Sequence, residues 1–191
     1  MGRIETLKEH FNKNSYVVLQ NFVDMDYIRW ARPYFEHRFF IDKDYKMSAA
    51  KAAVPLGKTY HGDPLAEVLL HTLKPEVEEV VDKELYPTYA FTRLYEAGQH
   101  LIKHKDRPAC EYSLTLPINY TGWPIVVEGI GIELSPGDVL LYKGRELQHW
   151  REPLIEGHQI QLHLHYVDAN GPCAEWKYDK RRKYSQQPFL Q

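Results

Sequence analysis

The sequence predicts an α+β fold in which a helical N-terminal layer supports an antiparallel double sheet, and three observations carry that reading. Apolar residues recur at helical spacing before position 87, as in Ile4, Leu7 and Phe11 and again in Leu65, Val68, Leu69 and Leu73. Beyond Pro87, short β-rich runs follow one another with turn residues between them, the pattern of a sandwich or barrel. A chain of 191 residues with 43% apolar and 13% aromatic content is also long enough for one domain with a sizeable core.

Taken in order, a first helix over Ile4 to Phe11 leads to a strand over Tyr16-Val17-Val18-Leu19. After Asp24 and Asp26 a second helical pattern carries Tyr27, Ile28, Trp30 and Ala31, and Pro33 should break or kink it. No period is visible over 41–60, so this stretch is expected to be either disordered or a loop that closes over a site as a lid. Leu65 to Leu73 restores a helical face, and Pro75 starts a further turn through Val77, Val80 and Val81. Strands are expected over 88–95, 111–118, 125–127, 132–134, 139–142 and 159–167, with Ser135-Pro136-Gly137-Asp138 as a turn. One domain over 1–191 is expected, with helical support over 1–87, a β core over 88–168 and a tail over 169–191.

Composition narrows the function. The net charge of −2 provides no general field for nucleic acid or membranes. Two cysteines, Cys110 and Cys173, are too few for a disulfide framework, and ten histidines without paired cysteines argue against structural zinc. A cytoplasmic protein without a membrane span or signal peptide is expected. Met1-Gly2 with Thr6 matches a loose myristoylation pattern that is too short to carry weight.

The chemistry concentrates at His104-Lys105-Asp106. An imidazole and a carboxylate two residues apart on extended backbone can turn to one cation while Lys105 points away. With a third histidine from far downstream they would form a 2-His-1-carboxylate facial triad, which leaves open positions on Fe(II). His149, 43 residues after Asp106, has enough intervening chain to cross a double sheet and return. With ten His and ten Asp, a chance His-x-Asp arises about half the time, so context decides. A second copy, His61-Gly62-Asp63, precedes Pro64 and an apolar run, and there Asp63 reads as a helix N-cap.

Together, Tyr95, Gly98, His104-x-Asp106, Pro136-Gly137-Asp138 and His149 resemble the Fe(II)/2-oxoglutarate-dependent oxygenases, especially the small prolyl-hydroxylase-like members, over roughly 88–168. The resemblance implies a double-stranded β-helix, or jelly roll, with His104, Asp106 and His149 holding Fe(II). It implies 2-oxoglutarate as cosubstrate and O₂ as oxidant, so that oxidative decarboxylation to succinate and CO₂ is coupled to hydroxylation of a protein residue or a small molecule. Family members of this type carry Arg or Lys nine or ten residues after the distal histidine, where this chain has His158 and Gln159. Arg151, on the same strand face as His149, is the first candidate to pair with the far carboxylate of 2-oxoglutarate, assisted by His158 or Gln159. Tyr95 would donate its hydroxyl to the cosubstrate, and Arg93 is held in reserve.

Two other readings belong beside it. His163-Leu164-His165, with Gly157 upstream, suggests a cupin-like module holding a metal or ligand without oxidation, although the expected Glu is missing. The basic and aromatic stretch Glu175 to Tyr184 would suit single-stranded nucleic acid, but charge runs of this kind are usually solvent-facing, so nucleic acid is not expected as a partner. His100 and His104 lie four apart without the Glu of a helical zinc-protease motif.

Overall fold

A computed structural model describes residues 3–41 and 58–181. The N-terminal layer is α1 (Arg3–Asn14), β1 (Tyr16–Leu19), α2 (Met25–Phe40), β2 (Lys58–His61), α3 (Pro64–Thr72) and α4 (Lys74–Val81). Then come β3 (Leu85–Glu96), β4 (Leu101–His104), β5 (Tyr112–Pro117), β6 (Ile125–Val127), β7 (Ile130–Ile132), β8 (Val139–Tyr142), β9 (His149–Arg151) and β10 (His158–Asp168). A kinked 3-10 segment, Ala174–Lys180, follows. Among the described residues no helix is long and apolar enough to cross a membrane.

The strands form a major sheet in the order β1-β8-β5-β10-β3-β2 and a minor sheet in the order β4-β9-β6-β7, with every pairing antiparallel. This is the α+β, double-stranded β-helix architecture. The β core is not confined to 88–168, because β1 pairs with β8 at one edge and β2 pairs with β3 at the other. The lid expected over 41–60 lies mostly outside the described residues, and its last three, Lys58 to Tyr60, belong to β2.

Alternation along the strands decides what each face of the major sheet buries. Ile160, Leu162, Leu164 and Tyr166 of β10, with Leu94 of β3 and Leu114 of β5, pack against Phe35 of α2, Leu70 of α3 and Val77 of α4 in one apolar cluster. The opposite face carries Tyr89, Phe91, Arg93 and Tyr95 of β3, in register with His165, His163, Gln161 and Gln159 of β10. The larger apolar core therefore lies outside the β-helix, between sheet and helices. Between the two sheets, Ile125, Val127 and Ile132 pack against Leu140 and Tyr142 of β8, while the inner face of β3 and β10 is polar and aromatic.

Pro33 does not end α2, which runs through it to Phe40. The proline sits on the exposed side, where its lost backbone bond falls toward water. Ile28, Ala31, Phe35 and Phe39 form a continuous buried stripe that outweighs the loss. Trp30 is not on that stripe and stands 75% exposed. Asp63 caps α3, its carboxylate accepting from the Leu65 amide at 3.0 Å, with Pro64 in the first turn.

The tail does more than lie over the outside. Asp179 is buried and takes a two-pronged ion pair from Arg107, with nitrogen–oxygen distances of 2.6 and 2.8 Å. Arg181 reaches between the helices and β3 to pair with the buried Glu67 at 2.7 Å and to donate to the Thr88 carbonyl at 2.7 Å. Lys180 pairs with Glu175 at 2.9 Å. Among the described residues of this stretch, Lys180 and Arg181 are thus paired within the protein.

Candidate metal centre

β4 ends at His104 and β9 begins at His149, and the two are direct partners in the minor sheet. The backbone then turns so that Asp106 meets both rings. The ligand-capable atoms of His104, Asp106 and His149 all lie within 4.8 Å of one another. Each Nε2 stands 3.5 Å from Asp106 Oδ1.

The outer nitrogens of the two rings are already committed. His104 Nδ1 donates to the Ile102 carbonyl at 2.8 Å, and His149 Nδ1 donates to the Leu147 carbonyl at 3.1 Å. This choice of tautomer leaves both Nε2 lone pairs facing a carboxylate oxygen, three acceptors without a donor between them. A cation resolves that arrangement. Without one, a proton must serve. Burial lowers the His104 pKa, but the Asp106 carboxylate and the Ile102 carbonyl more than reverse this and raise it above its usual value. Burial likewise works against ionised Asp106, yet its contacts with His104 and His149 hold the carboxyl well below the usual range.

Support for Asp106 comes from β5 and the turn after β8. Its Oδ2 accepts from Ser113 Oγ at 3.0 Å, and its amide donates to the Gly144 carbonyl at 2.9 Å. A Cβ on Gly144 would sit 2.1 Å from Asp106 Oδ2 and 2.7 Å from the Cys110 carbonyl oxygen, so only glycine leaves room for the carboxylate. In the sequence Gly144 signals no more than a bend, and nothing there marks Ser113. Ser113 Oγ also lies 2.9 Å from His165 Nδ1, which links Asp106 to the inner face of β10.

The three residues open onto a cavity of about 340 Å³ that also reaches Tyr95, Arg93 and the imidazoles of His61, His163 and His165. The Tyr95 hydroxyl is buried with no hydrogen-bond partner among the described residues. Its ring meets Trp123 edge-on at 4.9 Å. Arg151 does not line this cavity: it lies 3% exposed in an adjoining pocket with Trp123, Gln159 and Gln161, donating to the Trp123 carbonyl at 2.6 Å with its guanidinium 4.7 Å above the Trp123 ring. No described carboxylate pairs with it. Burial pulls its pKa down to about 10, with Tyr95 and Tyr142 opposing, so it remains a cation at neutral pH.

The other sequence candidates are placed differently. Gln159 faces inward, but its amide donates to the Asn119 carbonyl at 3.0 Å and to Gln161 Oε1 at 3.2 Å, and it accepts from Thr121. His158 does not join it. Neighbouring residues on a strand face opposite ways, and the His158 ring packs against Phe40 of α2 at 5.1 Å. His163 and His165 lie parallel with centroids 6.4 Å apart. His163 belongs to no group of metal-capable atoms among the described residues, whereas His165 groups with Asp106 and Cys110. Burial and nearby Asp106 push the Cys110 thiol pKa well up, and its sulfur lies 3.2 Å from the Tyr89 hydroxyl, which makes it a poor ligand beside the His104–Asp106–His149 set.

Comparison with known proteins adds the fold class. No family model and no curated protein matches this sequence. Among solved structures, a prolyl-4-hydroxylase from Pseudomonas putida matches with a TM-score of 0.69 at 13% identity, over 86% of this chain and 98% of that one. The α-ketoglutarate-dependent epimerase SnoN from nogalamycin biosynthesis matches with a TM-score of 0.70 at 14% identity, over 98% and 92%. HygX from Streptomyces hygroscopicus, solved with nickel and 2-oxoglutarate, matches with a TM-score of 0.67 at 13% identity, over 89% and 88%. The chain thus has the fold of the non-heme 2-oxoglutarate oxygenases and is similar to their prolyl-hydroxylase-like members in size and arrangement.

Proposed function

We propose that this chain is an Fe(II)- and 2-oxoglutarate-dependent dioxygenase, with His104, Asp106 and His149 as the metal ligands. The observation that carries this is the convergence of two Nε2 lone pairs and one carboxylate oxygen, each Nδ1 being held by a backbone carbonyl two residues earlier in the chain. A set of two imidazoles and one carboxylate suits Fe(II) and keeps part of its coordination sphere open. Bound Fe(II) would supply the coupling of 2-oxoglutarate decarboxylation to hydroxylation with O₂.

The protein's part is to bind, orient and shield. Arg151 is the partner of the far carboxylate of 2-oxoglutarate, since its guanidinium is buried and its neighbours are carbonyls and phenols rather than acids. The unpartnered Tyr95 hydroxyl donates to the same molecule. Ser113 and Gly144 fix the Asp106 carboxylate, so that its free oxygen faces the two imidazoles.

Purified protein given Fe(II) and 2-oxoglutarate is expected to form succinate slowly without a primary substrate. His104→Ala and Asp106→Ala should each abolish it, and Arg151→Met should raise the 2-oxoglutarate concentration needed. Succinate formation that survives both ligand substitutions would sink the reading.

A further inference from the structure

Two guanidinium groups sit inside this molecule without an acidic partner among the described residues, and the far carboxylate of the cosubstrate needs only one. If Arg151 takes that role, as proposed above, Arg93 remains. Arg93 points from β3 into the cavity shared with His104, Asp106 and His149. It is 9% exposed, and its one hydrogen bond among the described residues runs from Nε to Thr59 Oγ1 at a long 3.4 Å. The Phe91 and Tyr95 ring centres lie 5.5 and 5.7 Å from its guanidinium carbon, and its two terminal nitrogens donate to no described residue. A cation enclosed in this way is costly unless an anion meets it.

The remaining walls point the same way. Arg93, Lys105 and Arg107 bring three cations to the cavity, and the one carboxylate among its described lining residues, Asp106, is turned to the two ligand imidazoles. Arg107 is already paired with Asp179, and Lys105 is exposed at the rim. His61, Phe91 and His163 stack side by side across β2, β3 and β10, at 5.3 Å and 16° and at 4.3 Å and 11°. Rings stacked along a sheet turn their edges, not their faces, to the space above it. His61 Nδ1, His163 Nε2 and, on the neighbouring ring, His165 Nε2 are buried with no partner among the described residues. Three imidazole nitrogens await hydrogen bonds that an apolar molecule cannot make.

We propose that the primary substrate is a small polar organic acid whose carboxylate pairs with Arg93 and whose other polar groups meet the imidazole edges of His61, His163 and His165. This rests on the reading of Arg151 as the cosubstrate's anchor. A cavity of about 340 Å³ that also admits 2-oxoglutarate leaves room for a compact molecule. Guanidinium and carboxylate meet through two parallel hydrogen bonds, which fixes the orientation of the acid relative to the metal centre.

The test uses the full chain, loaded anaerobically with Fe(II) and 2-oxoglutarate. A panel of free amino acids, hydroxy acids and aromatic acids, each beside its primary amide and with phosphate monoesters of similar size, is titrated by calorimetry and then assayed for increased succinate formation in air. Some acids should bind and stimulate where their amides do not. Arg93→Met should weaken the best acid by roughly thirtyfold or more, the expected cost of truncating one partner of an enclosed charge pair, while 2-oxoglutarate affinity, measured without acid, moves by less than about twofold, as for an independent site. Arg93→Lys, which keeps the charge, should retain a weakened preference for acid over amide, guarding against a Met variant that fails to fold. Amides binding as well as acids, or phosphate monoesters binding where carboxylates do not, would overturn the proposal. So would a loss of 2-oxoglutarate affinity in Arg93→Met, which would make Arg93 the cosubstrate anchor. Failure of the wild-type protein to bind 2-oxoglutarate without any acid present would instead break the underlying oxygenase reading.

Discussion

The two faces of β10 belong to the same strand and do opposite work. Outward, Ile160, Leu162 and Leu164 are fully buried against helices and carry no polar atoms beyond the backbone. Inward, Gln159, Gln161, His163 and His165 are buried almost as deeply, yet each carries a hydrogen-bonding group. The chain affords buried imidazoles because its apolar packing is complete on the other side. In this architecture the packing against the helices, with the apolar cluster between β8 and the minor sheet, supplies stability, and the inner face of β3 and β10 is free to be polar and cationic.

That division separates variants by what they damage. The largest effect is expected on the inner side from Gly144→Ala, whose added methyl would overlap the Asp106 carboxylate at 2.1 Å. Detectable Fe(II) binding should vanish, as read by calorimetry, while the far-ultraviolet circular dichroism stays that of a folded protein. On the outer side, Leu164→Ala should cost about 3 kcal/mol of unfolding free energy, because a fully buried leucine is replaced by a cavity. Denaturant titration reads that loss, and Fe(II) affinity should hardly change. A Leu164→Ala protein that lost its metal as readily as Gly144→Ala would collapse the distinction between the faces. Ser113→Ala is milder than either: removing the hydrogen bond to Asp106 Oδ2 should lower Fe(II) affinity by about 10- to 100-fold and leave stability nearly intact.

The same division explains what the sequence could reveal. His104-x-Asp106 was legible because an imidazole and a carboxylate two residues apart can reach one cation, although β4 ends at His104 and it is the turn after it, not alternation, that brings Asp106 round. His149 was legible because the intervening run reads as strand, turn and strand. Alternation was also enough to show that His158 and Gln159 cannot both face inward, but the phase of β10 is set by its partners β3 and β5 and is invisible in the strand alone. Gly144 could not be read, since its requirement arises from contact with Asp106 and Cys110, on a different part of the chain. Nor could β2, where Lys58-Thr59-Tyr60-His61 has no β signature and becomes a strand by adding to the edge of β3. The roles of Arg181 and Asp179 were equally hidden, because a basic aromatic stretch looks the same in solution and when clamped by Glu67 and Arg107.

The smallest effect per step is one of acidity, and it probes the inner face directly. Burial first, and then the Arg107, His61 and His149 charges against the opposing pull of Asp106, hold His165 at a pKa of about 3. In the unfolded chain the same imidazole titrates near its ordinary value of about 6.5. Between those limits the unfolded state takes up a proton that the folded state refuses, so stability falls as pH drops from about 6.5 toward 3 and is unaffected above that window. The contribution is about 1.4 kcal/mol for each pH unit from this one residue. His104 works in the other direction in metal-free protein, since its raised pKa lets the folded state hold a proton more tightly and adds stability on the acid side. The informative quantity is therefore a difference: denaturant titrations of metal-free wild type and His165→Gln at pH 7.5, 6.0 and 5.0 should diverge in slope, the variant losing less stability on acidification. Parallel pH profiles for the two proteins would mean that His165 is not held neutral, and that the inner face of β10 is wetter than its enclosure by the two sheets implies.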